Sequence, residues 1–113
     1  MEHTTLAQIM VRNGGKIKFP LWKLQVQEQE YLDLKNTLSA AYSRGNLENY
    51  TREAAVFYAE WWRREYNGGT PSKERVARAV GIDDSELLFK LAKQAMHEWK
   101  CKVYGVNRHM YFY

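Results

Sequence analysis

The chain reads as a mainly helical α+β domain, with about five helices packed around a central tryptophan-rich helix and a small antiparallel β element beside them. Three observations predict this. Trp61 and Trp62 are adjacent, and neighbouring residues on a helix point about 100° apart, so two indoles need two different packing partners. The preceding positions Ala54, Ala55, Val56, Phe57, Tyr58 and Ala59 are apolar around most of a helical circumference, which suits an element covered on several sides. Glycines at 14–15, 45, 68–69 and 81 punctuate the chain where periodic segments end.

Taken in order, residues 5–11 form a short helix with Leu6, Ile9 and Met10 on one face, closed by Asn13-Gly14-Gly15, where glycine admits left-handed backbone angles. Residues 16–27 read as a half-buried strand interrupted at Pro20, because Ile17, Phe19, Trp22, Leu24 and Val26 alternate with Lys16, Lys18, Lys23 and Gln25. Glu28 to Arg44 is a helix with Tyr31, Leu32, Leu34, Leu38, Ala41 and Tyr42 near one stripe and Gly45 as its stop. Asn49 or Thr51 is placed to cap the tryptophan helix that follows.

Gly68-Gly69 ends that helix, and Thr70-Pro71 restarts the chain as a short helix over 72–80, with Thr as cap and Pro at the first helical position. Gly81 closes it. Asp83-Asp84-Ser85-Glu86 has a capping-box pattern and opens a last long helix from 84 to about 100, with Leu88, Leu91, Ala92, Ala95 and Trp99 as its core stripe. Residues 102–113 read as two short extended pieces turning around 105–107, able to pair with the 16–27 strand. An apolar edge at the end of the chain invites pairing with further polypeptide, so a larger parent protein is expected.

At 113 residues the chain has room for a single compact domain, 1–113, around one core. Four Trp, eight Tyr and four Phe supply large apolar areas per residue, so a core of this size needs no covalent staple. One cysteine, Cys101, cannot form an internal disulfide, and no secretory leader pattern opens the chain. A cytoplasmic setting follows as the expectation, with no membrane partner. The net charge of +4 lies in the second half: residues 1–62 hold seven basic against seven acidic side chains, residues 63–113 ten against six. That bias attracts anionic partners without specifying one.

Catalytic material is sparse. His3, His97, His109 and Cys101 have no metal-ligand or nucleophile spacing beyond the i, i+4 pair His97 and Cys101, which lacks an orienting group. No cofactor loop is present, since neither Gly-Gly pair is followed by Lys-Ser or Lys-Thr. The chain therefore reads as a non-enzyme without a metal or cofactor site. Binding has three candidates. Residues 74–94 resemble a helix-turn-helix, with Val76, Ala77, Val80, Gly81, Ile82 and Leu87 at its apolar, small and turn positions, although Asp83, Asp84 and Glu86 fall where the reading helix meets phosphates. Lys90, Lys93, His97 and Lys100 align on one helical face, suited to a phosphate backbone or simply to solvent, and no aromatic is interleaved with them to stack a base. Arg63 and Arg64 can grip an anion or partner, stack on an aromatic ring, or just complement the negative end of their own helix.

Phe19-Pro20-Leu21-Trp22-Lys23-Leu24, Glu30-Tyr31-Leu32-Asp33-Leu34-Lys35 and, most specifically, the Trp-Trp-Arg-Arg-x-Tyr-x-Gly-Gly run at 61–69 together resemble the amino-terminal region of a family of large bacterial proteins encoded in mobile or defence-related genomic islands. The resemblance implies a further domain after this one and a chain that stops inside a strand; it transfers no catalytic residue. The leading expectation is thus a non-catalytic interaction or structural module that contacts the remainder of its own chain or another protein. The alternative is a DNA-binding module using the helix-turn-helix-like unit at 70–100. A hydrolytic enzyme would need residues supplied from elsewhere.

Overall fold

The computed structural model describes residues 4–65 and 72–104, with five α-helices and no strand among them. They are α1 (Thr4–Arg12), α2 (Glu28–Arg44), α3 (Thr51–Glu65), α4 (Lys73–Val80) and α5 (Ser85–Tyr104), with single 3-10 turns at Leu21–Lys23 and Leu47–Asn49.

The helix ends follow local chemistry. Gly45 and Gly81 both take left-handed angles, φ 75° in each case, and their amides bond back to the last turns of α2 and α4, which a residue bearing a Cβ does at a cost. At the start of α2 the Glu30 carboxylate accepts the Gln27 backbone N–H at 3.0 Å, satisfying an amide that has no partner inside the helix. Two expected caps move. The Ser72 hydroxyl accepts the Arg75 N–H and caps α4, while the expected Thr70-Pro71 start and the Gly68-Gly69 stop lie outside the described residues. Ahead of α3, the carbonyl of Tyr50 takes the first helical bond, from Ala54 at 2.9 Å, so neither Asn49 nor Thr51 sits at the cap position. Asp84 caps α5 by accepting the Leu87 N–H at 3.1 Å; the third helical residue is Leu87, which cannot reciprocate as Glu would in a capping box.

The central position of α3 holds. Nine consecutive residues, Glu53 through Trp61, are buried, whereas a surface helix would bury one stripe. Trp61 is inside and Trp62 half-buried. The most extensive helix pairing among the described residues is α3 with α5. Ala54 and Ala55 on α3 and Ala92 and Ala95 on α5 are all buried, and short side chains allow helix axes to approach. Leu34 and Leu38 of α2, Val76 and Ala77 of α4, and Ile9 of α1 complete the interior. Phe57 is fully buried and stacks on Tyr31 with ring centroids 5.3 Å apart and planes 7° from parallel, an arrangement contributing about 1 kcal/mol beyond its area.

The expected β element is corrected. Residues 16–27 are an irregular connection with a cis Phe19–Pro20 bond and the 3-10 turn. Leu24 and Val26 are buried as strand alternation requires, but the turn swings Leu21 inward and Trp22 outward. The backbone of Gln25 pairs with a side chain instead of a strand: its N–H donates to Asn13 Oδ1 at 3.2 Å and its carbonyl accepts Asn13 Nδ2 at 3.1 Å. The expected partner strand is also displaced, because α5 runs past 100 to Tyr104; residues 105–113, where the rest of it was placed, are outside the described residues. The described residues are therefore mainly helical, since residues 16–27 have no neighbouring strand among them to complete a ladder of hydrogen bonds.

Candidate functional site

Among the recesses on the described surface, two that share no lining residue bear on binding; a further one of about 300 Å³ lies at the α4–α5 corner. The larger of the two is an open groove of about 730 Å³ along the amino-terminal half of α5. Its apolar surface comes from Leu87 and Phe89, and the carboxylates of Asp84, Glu86 and Glu98, the ammonium groups of Lys90 and Lys93, and Gln94 and His97 line it with them. Helical spacing produces this alignment: α5 buries Leu88, Leu91, Ala92, Ala95 and Trp99 against the interior, which turns the remaining positions outward. Phe89 meets Tyr58 in a tilted pair at 5.9 Å, and the ammonium groups of Lys73 and Lys93 lie 5.0 and 5.7 Å from its ring centroid.

The basic row splits on this surface. Lys90, Lys93 and His97 line the groove, but Lys100 lies over the Phe19 ring at 5.7 Å. The expectation of a face without aromatics is wrong, since Phe89 stands among these side chains. Three carboxylates share the groove with two lysines, so it does not present the uniform positive track that a phosphate backbone requires. The helix–glycine–helix corner is real: α4, left-handed Gly81 and α5 follow in order. The amino end of α5 nevertheless exposes Asp83, Asp84 and Glu86, which repel phosphate where a recognition helix would approach it. The Cys101 side chain of the His97 and Cys101 pair lies outside the described residues. No group of three or more His, Cys, Asp or Glu able to hold a metal gathers among the described residues.

The smaller of the two, a cleft of about 350 Å³, lies where the end of α1, the 20–27 connection and the last turn of α3 meet. Arg12, Lys23 and Arg63 line it with Trp22, Gln25 and Gln27, and no carboxylate does. The carboxylates lie behind. Glu30, 7% exposed, receives both Nε and Nη2 of Arg12, the Nε contact at 2.9 Å. The same Nη2 reaches the carbonyl of Gln25 at 2.6 Å. Hydrogen bonding from Arg12 holds the Glu30 carboxyl below the usual carboxylate range, outweighing the opposing effect of burial. Glu60, 3% exposed, receives Nε and Nη2 of Arg63, the former at 3.2 Å, and Nε of Arg64 at 2.6 Å.

Arg63 and Arg64 thus diverge. Arg63 reaches the cleft, with its side chain about half exposed. Arg64 turns the other way: it bridges Glu60 to Glu28, the latter at 2.5 Å, and lays its guanidinium 4.5 Å over the Tyr31 ring, one of the arrangements expected of it. Under that guanidinium, burial pushes the Tyr31 hydroxyl up to about 12. Arg12, Trp22 and Lys23 were not foreseen as site residues. The only signal for them was an aromatic beside a lysine, which any half-buried strand also shows, and Arg12 and Arg63 are remote in the chain.

The molecule is thereby a small helical domain with surface recesses suited to binding. The chain matches the YjiT N-terminal domain family over residues 3–112 and belongs to it. No curated protein and no solved structure matches the chain. The family's description fits an amino-terminal module of a larger protein. Among the described residues no helix is long and apolar enough to cross a membrane.

Proposed function

We propose that this domain is a non-catalytic interaction module of its larger bacterial protein, holding a segment of the remainder of that chain in the α5 groove. The observation that carries the reading is the groove's make-up: an apolar surface of Leu87 and Phe89 among carboxylates and lysines. Apolar contact with charges of both signs recognises a polypeptide segment, whose own side chains supply both charges. A nucleic-acid backbone offers one sign only. An amphipathic helix laid along α5 would bury Leu87 and Phe89 and match the lining charges with its own.

The test is a calorimetric titration of the domain against the remaining part of its parent chain. Association is expected, weakened at least about tenfold by Leu87→Asp, equivalent to roughly 1.4 kcal/mol. Gln94→Arg, at an exposed groove position, blocks the same surface without touching the core and should weaken binding similarly. Absence of association in the unaltered protein sinks the reading. Salt-dependent binding to duplex DNA, lost when Lys90, Lys93 and Lys100 are each changed to Glu, would establish the DNA-binding alternative in its place.

A further inference from the structure

We infer that the cleft at the α1–α3 corner is a second, separate binding site, one that takes a phosphate monoester attached to a planar ring, as in a nucleoside monophosphate. Three features converge there. First, both arginines are held by the edge that faces the protein. Each gives Nε and Nη2 to a single nearly buried carboxylate, Arg12 to Glu30 and Arg63 to Glu60. Neither Nη1 has a protein acceptor among the described residues. A guanidinium pinned in this way keeps donors directed outward and loses little freedom when an oxyanion arrives.

Second, the lining is one-signed. Lys23 adds a third positive group, itself exposed, while the balancing carboxylates do not line the cleft. The paired arginines contribute directed hydrogen bonds and Lys23 the uncompensated charge, so the site favours a compact dianion over a long polyanion. Third, Trp22 lines the same cleft and is 57% exposed. It is the only aromatic side chain among the described residues that is left exposed. An indole edge in water next to cations has no packing role to explain it, whereas it offers a flat surface for a ring carried by the bound anion. The volume, about 350 Å³, falls in the range of small-ligand pockets, and Gln25 and Gln27 supply neutral donors and acceptors at the rim.

The experiment is a set of titrations followed by proton–nitrogen NMR at low ionic strength, reading the backbone amides of Lys23 to Gln27 in every variant and, where it is present, the Trp22 indole N–H, assigned by its disappearance in Trp22→Leu. Adenosine 5′-monophosphate, ribose 5-phosphate, adenosine and a hexaglutamate peptide are the probes. Saturable binding of the nucleotide is expected, about tenfold tighter than ribose 5-phosphate, with adenosine weaker than both. Trp22→Leu should bring the nucleotide down to the sugar phosphate, and Lys23→Gln should weaken both phosphates several-fold while leaving their ratio intact. Arg63→Gln should weaken them further, and Lys23→Gln carries the conclusion if loss of the Glu60 pair unfolds that variant. No saturable binding of either phosphate, or affinities unmoved by Lys23→Gln, overturns the site. Equal affinity for nucleotide and sugar phosphate overturns the role of Trp22, and hexaglutamate binding as tightly as the nucleotide overturns selectivity for a phosphate monoester. Because the α5 groove shares no residue with this cleft, failure here leaves the interaction reading standing, and the reverse.

Discussion

The α3–α5 interface and the corner where α1 meets α2 join helices by opposite means. Across the first, Ala54 and Ala55 of α3 and Leu88 and Ala92 of α5 are buried with almost no exposed surface, and burial itself supplies the free energy. Across the second, Arg12 spans from α1 to Glu30 of α2 and to the carbonyl of Gln25, while Asn13 pairs with both backbone groups of Gln25. The comparison teaches that one small domain can hold its centre by packing and shape a surface cleft by polar contacts. Packing leaves no cleft, because side chains fill space. Polar contacts act over a few directed atoms and leave recesses between them.

The sharpest way to break this contrast is at Phe57. Phe57→Ala removes a fully buried ring and the stack on Tyr31 and should cost about 3–5 kcal/mol in urea unfolding. A loss below about 1 kcal/mol would mean that α3 is not the packing centre. Glu60 tests a polar contact at a nearly buried carboxylate. Glu60→Ala strands Arg63 and leaves Arg64 with Glu28 alone, and both arginines are partly exposed, so water relieves part of the penalty and about 1–3 kcal/mol is expected in the same assay.

The corner is sharper still as a pH experiment. The Glu30 carboxyl is depressed in the folded protein, so the folded state binds this proton less readily than the unfolded chain. Its contribution is present above the ordinary carboxylate value and disappears as pH falls through the depressed one. Glu30→Gln should therefore destabilise by about 1 kcal/mol at pH 7, with the gap from the unaltered protein closing as pH falls below the ordinary carboxylate range and through the depressed value. A gap constant with pH would contradict the pairing. The smallest effect at neutral pH is expected from Tyr31→Phe, which keeps the ring on Phe57. Burial raises the Tyr31 hydroxyl to about 12 in the folded protein, above an unfolded value near about 10. The tyrosine thus favours folding below about pH 10 relative to its ionised form, and that advantage is lost as pH rises toward about 12. Unfolding midpoints followed across that interval should fall less steeply in Tyr31→Phe than in the unaltered chain.

The two regions also differ in how far their sequence disclosed them. The α2 boundaries, Glu28 and Arg44, are legible because Gly45 must take the left-handed angle that ends the helix. The burial of Trp61 and the core stripe of α5 follow from apolar spacing. Residues 16–27 misled because alternation at 22, 24 and 26 is shared by a strand and by an extended loop pressed on a core. What separates the two is the hydrogen-bond partner, here Asn13, which no spacing inside the segment reveals. Burial of Glu30, Glu53 and Glu60 was equally hidden, since carboxylates ordinarily face water and each is inside only with contacts from its surroundings. At the groove, the lysine row was visible but the presence of Phe89 among it was not, because a ring between two stripes can turn to either.

By itself the sequence determined where α1, α2 and α4 stop, which helix is central and many of the residues that pack, since capping angles and apolar periodicity act within a few neighbouring residues. Only the tertiary structure decided that the alternating segment is a loop, that Arg63 and Arg64 part company, and that Arg12, Trp22 and Lys23 share a cleft with Arg63. Those outcomes depend on atoms brought together from distant parts of the chain, and their energies exist only once the helices have packed.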